Sequence, residues 1–302
     1  MPRLAKLLAP LMVAVLALTG CGAATAEPPS DTLVVQFVPT RADSDMEALA
    51  QPLAGLLSEQ LDREVVVTIA TDYSTIVEAL AAQQIDVGIM PPATYVLAAD
   101  QGTADAVLTA QIPGTDPVTA ENTDELVAGF RGEIVVAADS GITSLDDLRG
   151  ATIAVQNAAS ASGYIFPVVE MAEAGLDLQN DVTLTTVSGI DSALLAVLNG
   201  DADAAFGFEG SRRLLKGEFP DITELLSVAY LTEAVIPNDA IAVSTTLDDA
   251  DRQAVKAAFL AIADDPEGLE IISTLYSHQG YVDPRPADYD IVRDYTQRAG
   301  EL

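Results

Sequence analysis

The chain has 302 residues, with 14 basic against 46 acidic side chains, a formal net charge of -32, one cysteine and one histidine. So large an acidic excess repels a polyanion over the whole surface and excludes nucleic acid as a partner. A single cysteine excludes an intrachain disulfide and a cysteine metal cluster.

The N-terminus, MPRLAKLLAPLMVAVLALTGC, sets Arg3 and Lys6 ahead of an apolar stretch from Leu7 to Leu18. This predicts a secretory signal peptide over 1–20, too short between its flanks for a membrane span. Its last four residues, Leu18-Thr19-Gly20-Cys21, resemble the bacterial lipobox, which implies that Cys21 is lipidated and holds the protein at the outer side of a bacterial membrane. The small, polar, proline-bearing GAATAEPPSD that follows suits a flexible tether, placed at 21–31. The remaining residues are enough for one large or two medium domains with cores of their own. The carboxylates read as a solvated acidic surface. At ionic strengths that cut the Debye length to roughly 3–10 Å, such a surface barely opposes a buried site for a small anion.

After the tether, TLVVQFVPT (32–40) reads as a buried strand and MEALAQPLAGLLSEQL (46–61) as a helix despite Pro52. EVVVTIA (64–70) is a strand, YSTIVEALAAQQ (73–84) a helix and IDVGIM (85–90) a strand. The same β-α-β-α-β order returns in ATIAVQ (151–156), SGYIFPVVEMAEAG (162–175), VTLTTV (182–187), DSALLAVLNG (191–200) and ADAAFGF (202–208). The likeness reaches residues, since Asp86 and Asp203 each open the strand that follows a helix.

Two like halves point to two α/β lobes facing each other, with a ligand beyond the carboxyl ends of the strands. FRGEIVVAADSGITSLDDLRG (130–150) provides the first crossing between lobes. SVAYLTEAVIPNDAIAVS (227–244) provides the return, broken at Pro237 and Asn238. The helical stretch 248–276 is expected to pack back on the first lobe. The boundaries expected are 32–133 plus 235–302 for lobe 1 and 134–234 for lobe 2.

The stretch NAASASGYIFP (157–167) sets Ser160, Ser162 and Gly163 just ahead of a helix. Two readings stand side by side. A serine hydroxyl caps the first unsatisfied amides, or a small oxyanion takes the place of the cap at the positive end of the helix.

Several segments in order carry a resemblance: DYSTIVEALAAQQIDVGIM with PPATYVLA, DSGITSLDDLRG, SASGYIFP, DSALLAVLNGDADAA and IPNDAIAV. Over about 35–285 the chain resembles the substrate-binding proteins of ABC transporters for phosphate, phosphite and phosphonates. The resemblance implies a type II periplasmic-binding-protein fold, two α/β domains joined by two crossing strands with a ligand cleft between them. It implies a monomeric, non-enzymatic receptor without cofactor or metal, which captures a small phosphorus oxyanion and presents it to an ABC permease.

Tyr73, at a helix start, and Tyr95, in a loop, match tyrosines that approach the ligand from the first lobe. Ser160, Ala161, Ser162 and Gly163 match a Ser-Thr-Ser-Gly turn in the second, where Ala161 keeps the amide and loses one hydroxyl. Glu209 falls near a carboxylate that some members use to hold a ligand's amino group, although a solvated loop carboxylate paired with Arg212 or Arg213 is the plain alternative. Ile190 stands where many members have a histidine, and its plain reading is strand packing. His278 is expected to be a surface or structural residue.

An enzyme with paired catalytic carboxylates is the first rival, but no pair stands out and no nucleophile elbow, HExxH or phosphate-binding GxxxxGK[ST] loop occurs. A binding protein that signals to a membrane receptor, or one for another small oxyanion, is the second.

Overall fold

The computed structural model describes residues 32–38 and 46–302. Among them, two sheets carry the fold. The first is ordered from β1 (Leu33–Phe37), β2 (Val65–Ile69), β3 (Val87–Met90), β4 (Ala104–Thr115) and β5 (Asn122–Val127), with helices α1 (Met46–Leu61), α2 (Tyr73–Ala81) and α3 (Pro92–Asp100) between strands. The short β6 (Gly129–Phe130) leads to the second sheet, made of β7 (Gly132–Ala137), β8 (Thr152–Val155), β9 (Thr183–Thr186), β10 (Ala204–Phe208) and β11 (Leu226–Leu231). Helices α4 (Phe166–Glu173), α5 (Ile190–Leu198) and α6 (Ile222–Leu225) belong to that half. The chain returns through β12 (Ile236–Pro237) to β13 (Ala240–Ser244), then α7 (Asp249–Asp264), α8 (Pro266–Tyr276), β14 (Gly280–Val282) and α9 (Pro286–Ala299).

In the first sheet β1 lies between β2 and β3 as parallel partners, while β13 joins β3 and β4 antiparallel. In the second, β8 is parallel to β9 and β10, and β7 is antiparallel to β10 and β11. Central strands covered on both faces need continuous apolar sequence. Accordingly Val87, Gly88, Ile89 and Met90 are all buried, as are Ala240 to Val243. The repeat of Asp86 and Asp203 has a direct cause. Asp86 Oδ2 accepts from the Val34 amide at 2.8 Å, and Asp203 Oδ2 accepts from the Thr152 amide at 2.8 Å. Each carboxylate thus holds an amide at the start of the neighbouring parallel strand in its own half.

The two crossings lie side by side, with Ile236 opposite Phe130 and Pro237 opposite Gly129. Asn238 fixes this hinge by donating through Nδ2 to the carbonyls of Ala110 (3.1 Å) and Val127 (2.8 Å). The stretch 248–276 forms two helices, because Asp265 turns the chain out of α7 and caps α8 by accepting from the amides of Glu267 (3.0 Å) and Gly268 (2.9 Å). Both helices pack on α1.

Helix α9, for which the sequence reading made no separate expectation, touches both halves. Tyr289 meets Tyr95 edge-on at 4.6 Å and shares a hydrogen bond with Thr109 (2.9 Å). Nearly two turns on, Tyr295 stacks on Phe166 at 4.3 Å and donates to Glu170.

Helix α2, which carries Tyr73, is capped by Asp72. Its Oδ1 accepts from the amides of Ser74 and Thr75 at 2.9 Å each. Hydrogen bonds from the Ser74 and Thr75 side chains and amides lower the Asp72 carboxyl from 3.8 to about 2. With the folded value below the unfolded one, its stabilising contribution is complete above about pH 4 and is lost as pH falls towards 2. The melting difference between wild type and Asp72→Ala, in favour of wild type at pH 7, should therefore shrink steadily below about pH 4 and vanish only below about pH 2. A difference independent of pH would show that the cap does not act through its charge.

Candidate functional site

A cleft of about 2040 Å³ separates the two sheets and is lined from both sides. Its second-half wall is built at the carboxyl ends of β8, β9 and β10, where Gln156, Ser160, Ser188, Gly189 and Phe208 line it. Ser160 has extended backbone, φ -79° and ψ 118°, and its Oγ accepts from the Gly163 amide at 3.2 Å. The cap reading thus holds for Ser160. Accepting a bond leaves its O–H proton free to donate, so capping and ligand contact are compatible.

The helix starts as a wide π turn over Ala161–Ile165, with the Ile165 amide bonding to Ser160 O at 2.9 Å. Pro167 offers no amide to continue an ordinary turn back to Gly163. The Gly163 carbonyl instead accepts from the Gln156 amide at 2.9 Å.

Gln156, which sequence reasoning missed, ties this wall together. Its Nε2 donates to Gly189 O at 3.1 Å and its Oε1 accepts from Gly189 N at 3.0 Å. Because Gly189 sits at φ +87° as the cap of α5, the glutamine holds the start of one helix against the turn that opens the other. A polar residue ending an otherwise apolar strand, ATIAVQ, was the available signal.

The remaining sequence-predicted residues fall in different places. Tyr73 lines the cleft from the first half, half-buried, and burial followed by the nearby Asp239 pushes its phenol above the ordinary value. Tyr95 does not line it. It sits in α3, where a loop was expected, and its hydroxyl accepts from the Ala106 amide at 3.1 Å while its ring packs on Tyr289. Its phenol therefore braces the first sheet, and burial pushes it upward.

Ala161 and Ser162 follow Ser160 in the turn but are not among the cleft-lining residues, and Ser162 is buried. Glu209 lines the cleft, and the expected pairing with Arg212 or Arg213 is not made: both guanidiniums bond to carbonyl oxygens, and Arg213 also to Thr115 Oγ1. Ile190 heads α5 and lines the cleft, in place of the strand packing expected of it.

His278 is buried, and it also lines the cleft. Its Nδ1 bonds to the Tyr281 hydroxyl at 3.2 Å, its Nε2 lies 3.4 Å from Asp239 Oδ2, and its ring stacks on Tyr276 at 5.0 Å. The lipobox and Cys21 lie outside the described residues. No group of metal-ligating side chains occurs among the described residues.

Comparison with known proteins agrees with this architecture. The phosphate-import protein PhnD of Mycolicibacterium smegmatis is 30% identical over 194 residues, which are 61% of this chain and 57% of that relative's length. XAC2383 from Xanthomonas citri bound to ATP superposes with a TM-score of 0.74 at 20% identity, over 90% of this chain and 98% of that one. PhnD1 from Prochlorococcus marinus in complex with methylphosphonate gives 0.70 at 17% identity, over 90% and 99%. At these identities the structures establish the two-lobed fold. The profile of the family described as the periplasmic substrate-binding protein of the phosphonate ABC transporter matches residues 35–289, and the chain belongs to that family.

Proposed function

We propose that the protein captures a small phosphorus oxyanion, a phosphonate, phosphite or phosphate, in the cleft and delivers it to an ABC permease without turning it over. The observation that carries this reading is the Ser160 turn at the carboxyl end of β8, faced across the cleft by Tyr73. The Ser160 hydroxyl and the leading amides of the turn supply donors without bulk, and a phenol is a neutral donor to a phosphoryl oxygen. Closure would move residues 134–234 against 32–133 and 235–302 about the paired β6 and β12. Glu209, on the same wall, would accept from an amino group on a longer ligand. The N-terminal motif supports secretion and attachment through lipidated Cys21, with a monomer displayed outside the cell membrane. Recovery of the protein in the detergent phase with a labelled acyl chain checks that part.

Calorimetric titration with phosphate, phosphite, methylphosphonate and ATP tests the reading. Binding of at least one is expected. Ser160→Ala and Tyr73→Phe should each weaken it by on the order of tenfold or more, since a bond to a charged group contributes about 1.5–3 kcal/mol. Absence of binding across the panel, or unchanged affinity in both variants, would overturn it.

A further inference from the structure

In a chain with 46 acidic side chains, a cation without an acidic partner is the exception. Among the described residues, every lysine and every arginine outside one corner is ion-paired with a carboxylate. That corner holds Arg131, Arg212 and Arg213.

Arg212 is 2% exposed and sits behind the cleft wall, donating to the carbonyls of Pro117 (2.7 Å) and Leu226 (3.1 Å). The other two line the cleft itself. Arg131 is exposed between β6 and β7, and its guanidinium makes no hydrogen bond among the described residues; only its carbonyl is engaged, by the Glu209 amide at 2.9 Å. Arg213 is fixed through Nη1 alone, which donates to Gly210 O (3.1 Å), Glu209 O (3.3 Å) and Thr115 Oγ1 (3.3 Å). Its guanidinium lies over the Phe208 ring, 5.2 Å from the centroid, and Phe208 meets Phe130 edge-on at 6.5 Å.

The nearby carboxylates do not neutralise this pair by contact. Glu133 is buried and occupied by the amides of Gly210 (3.1 Å) and Ser211 (3.0 Å) and by the Ser211 hydroxyl (2.7 Å). Glu125 and Glu209 share the cleft wall without being in ion-pair contact with either arginine among the described residues. A guanidinium oriented by neutral oxygens and an aromatic face keeps its charge and its remaining N–H edge for a planar or tetrahedral anion.

Resting on the function proposed above, we propose that Arg131 and Arg213 form a second anion subsite of the same cleft. It would take the distal carboxylate or second phosphoryl group of an organophosphorus ligand whose head sits at the Ser160 turn, with the short carbon linker against Phe130 and Phe208. The ligand class is then an organophosphonate or phosphate ester that carries a second negative group.

The test is titration of the full folded domain with 3-phosphonopropionate and with propylphosphonate, which has the same linker and no second charge, with methylphosphonate as the head alone. The expected result is that 3-phosphonopropionate binds at least about tenfold more tightly than propylphosphonate, from one added charge-assisted contact. Arg131→Gln, at an exposed position, should abolish that advantage and leave methylphosphonate affinity as it was. Arg213→Gln should do the same, with its melting temperature measured alongside. Equal affinity for the two longer ligands, or an advantage that survives both substitutions, overturns the second subsite while leaving the head site standing. Failure of all three phosphonates to bind would remove both for phosphonates.

Discussion

Replacing Glu170 by alanine is expected to lower the melting temperature by on the order of 10 °C. Glu170 is 4% exposed and lies in α4 on the side packed by α9 and the loop after β11. Its two oxygens accept four bonds, from the Tyr230 hydroxyl (2.7 Å), the Glu233 amide (2.8 Å), the Ala234 amide (3.1 Å) and the Tyr295 hydroxyl (3.2 Å). Alanine leaves these donors facing a void. The two hydroxyls can turn elsewhere, but the amides cannot, so the cost is roughly 3–5 kcal/mol, below the sum of four separate losses.

The location makes the loss more than local. Ala234 leads directly into the return crossing, and Tyr295 belongs to a helix that also grips the first half, through Tyr289 on Thr109 and the ion pair of Arg293 with Asp100 (2.7 Å). Glu170→Gln keeps one acceptor oxygen and should lose about half as much. Thermal unfolding of both variants, with limited proteolysis after residue 285, checks this. A shift of about 1 °C or less in Glu170→Ala, with α9 still protected, would show that the carboxylate does not hold the hinge region together.

Much of the fold was legible because its causes are local. The apolar runs of β3, β8 and β10 are buried almost throughout, those of β1 and β2 bury alternate residues, and Asp86 and Asp203 mark the same strand start in each half. The Ser160 turn was legible as a helix start for the same reason. What escaped was decided by partners distant in sequence. The spacing of Tyr289, Val292 and Tyr295 gives an apolar stripe, but nothing local says that it lies across two halves. Tyr95 looks in sequence like an aromatic beside a proline loop. It becomes a half-buried brace only because Ala106 and Tyr289 reach it from other elements. Glu170 is hidden in the same way, as one acid in FPVVEMAE whose donors come from residues 60 or more positions away.

The second-half wall of the cleft depends on a contact that only glycine permits. A Cβ at Gly163 would stand 2.4 Å from Gln156 Cγ, 2.8 Å from Gln156 Cβ and 2.8 Å from Ser160 Oγ. Gln156 cannot swing aside freely, because both ends of its amide are bonded to Gly189. In Gly163→Ala, therefore, either the turn moves away from β8 or Gln156 releases the start of α5. Either route displaces the Ser160 hydroxyl and the amides after it.

Overpacking of this kind costs roughly 1–3 kcal/mol of stability. Loss of two donors to a charged ligand adds a larger effect on binding, on the order of a hundredfold or more. The contact itself can be tested, since Gln156→Ala removes the Cγ that clashes most. Each single variant should lose affinity, and the double variant should be more stable than the two single losses predict, with a coupling of roughly 0.5–3 kcal/mol. Urea unfolding of the four proteins, with titration against the best ligand of the panel, measures both quantities. Additive stabilities would mean that residue 163 does not press on Gln156, and wild-type affinity in Gly163→Ala would mean that the ligand does not sit on this turn.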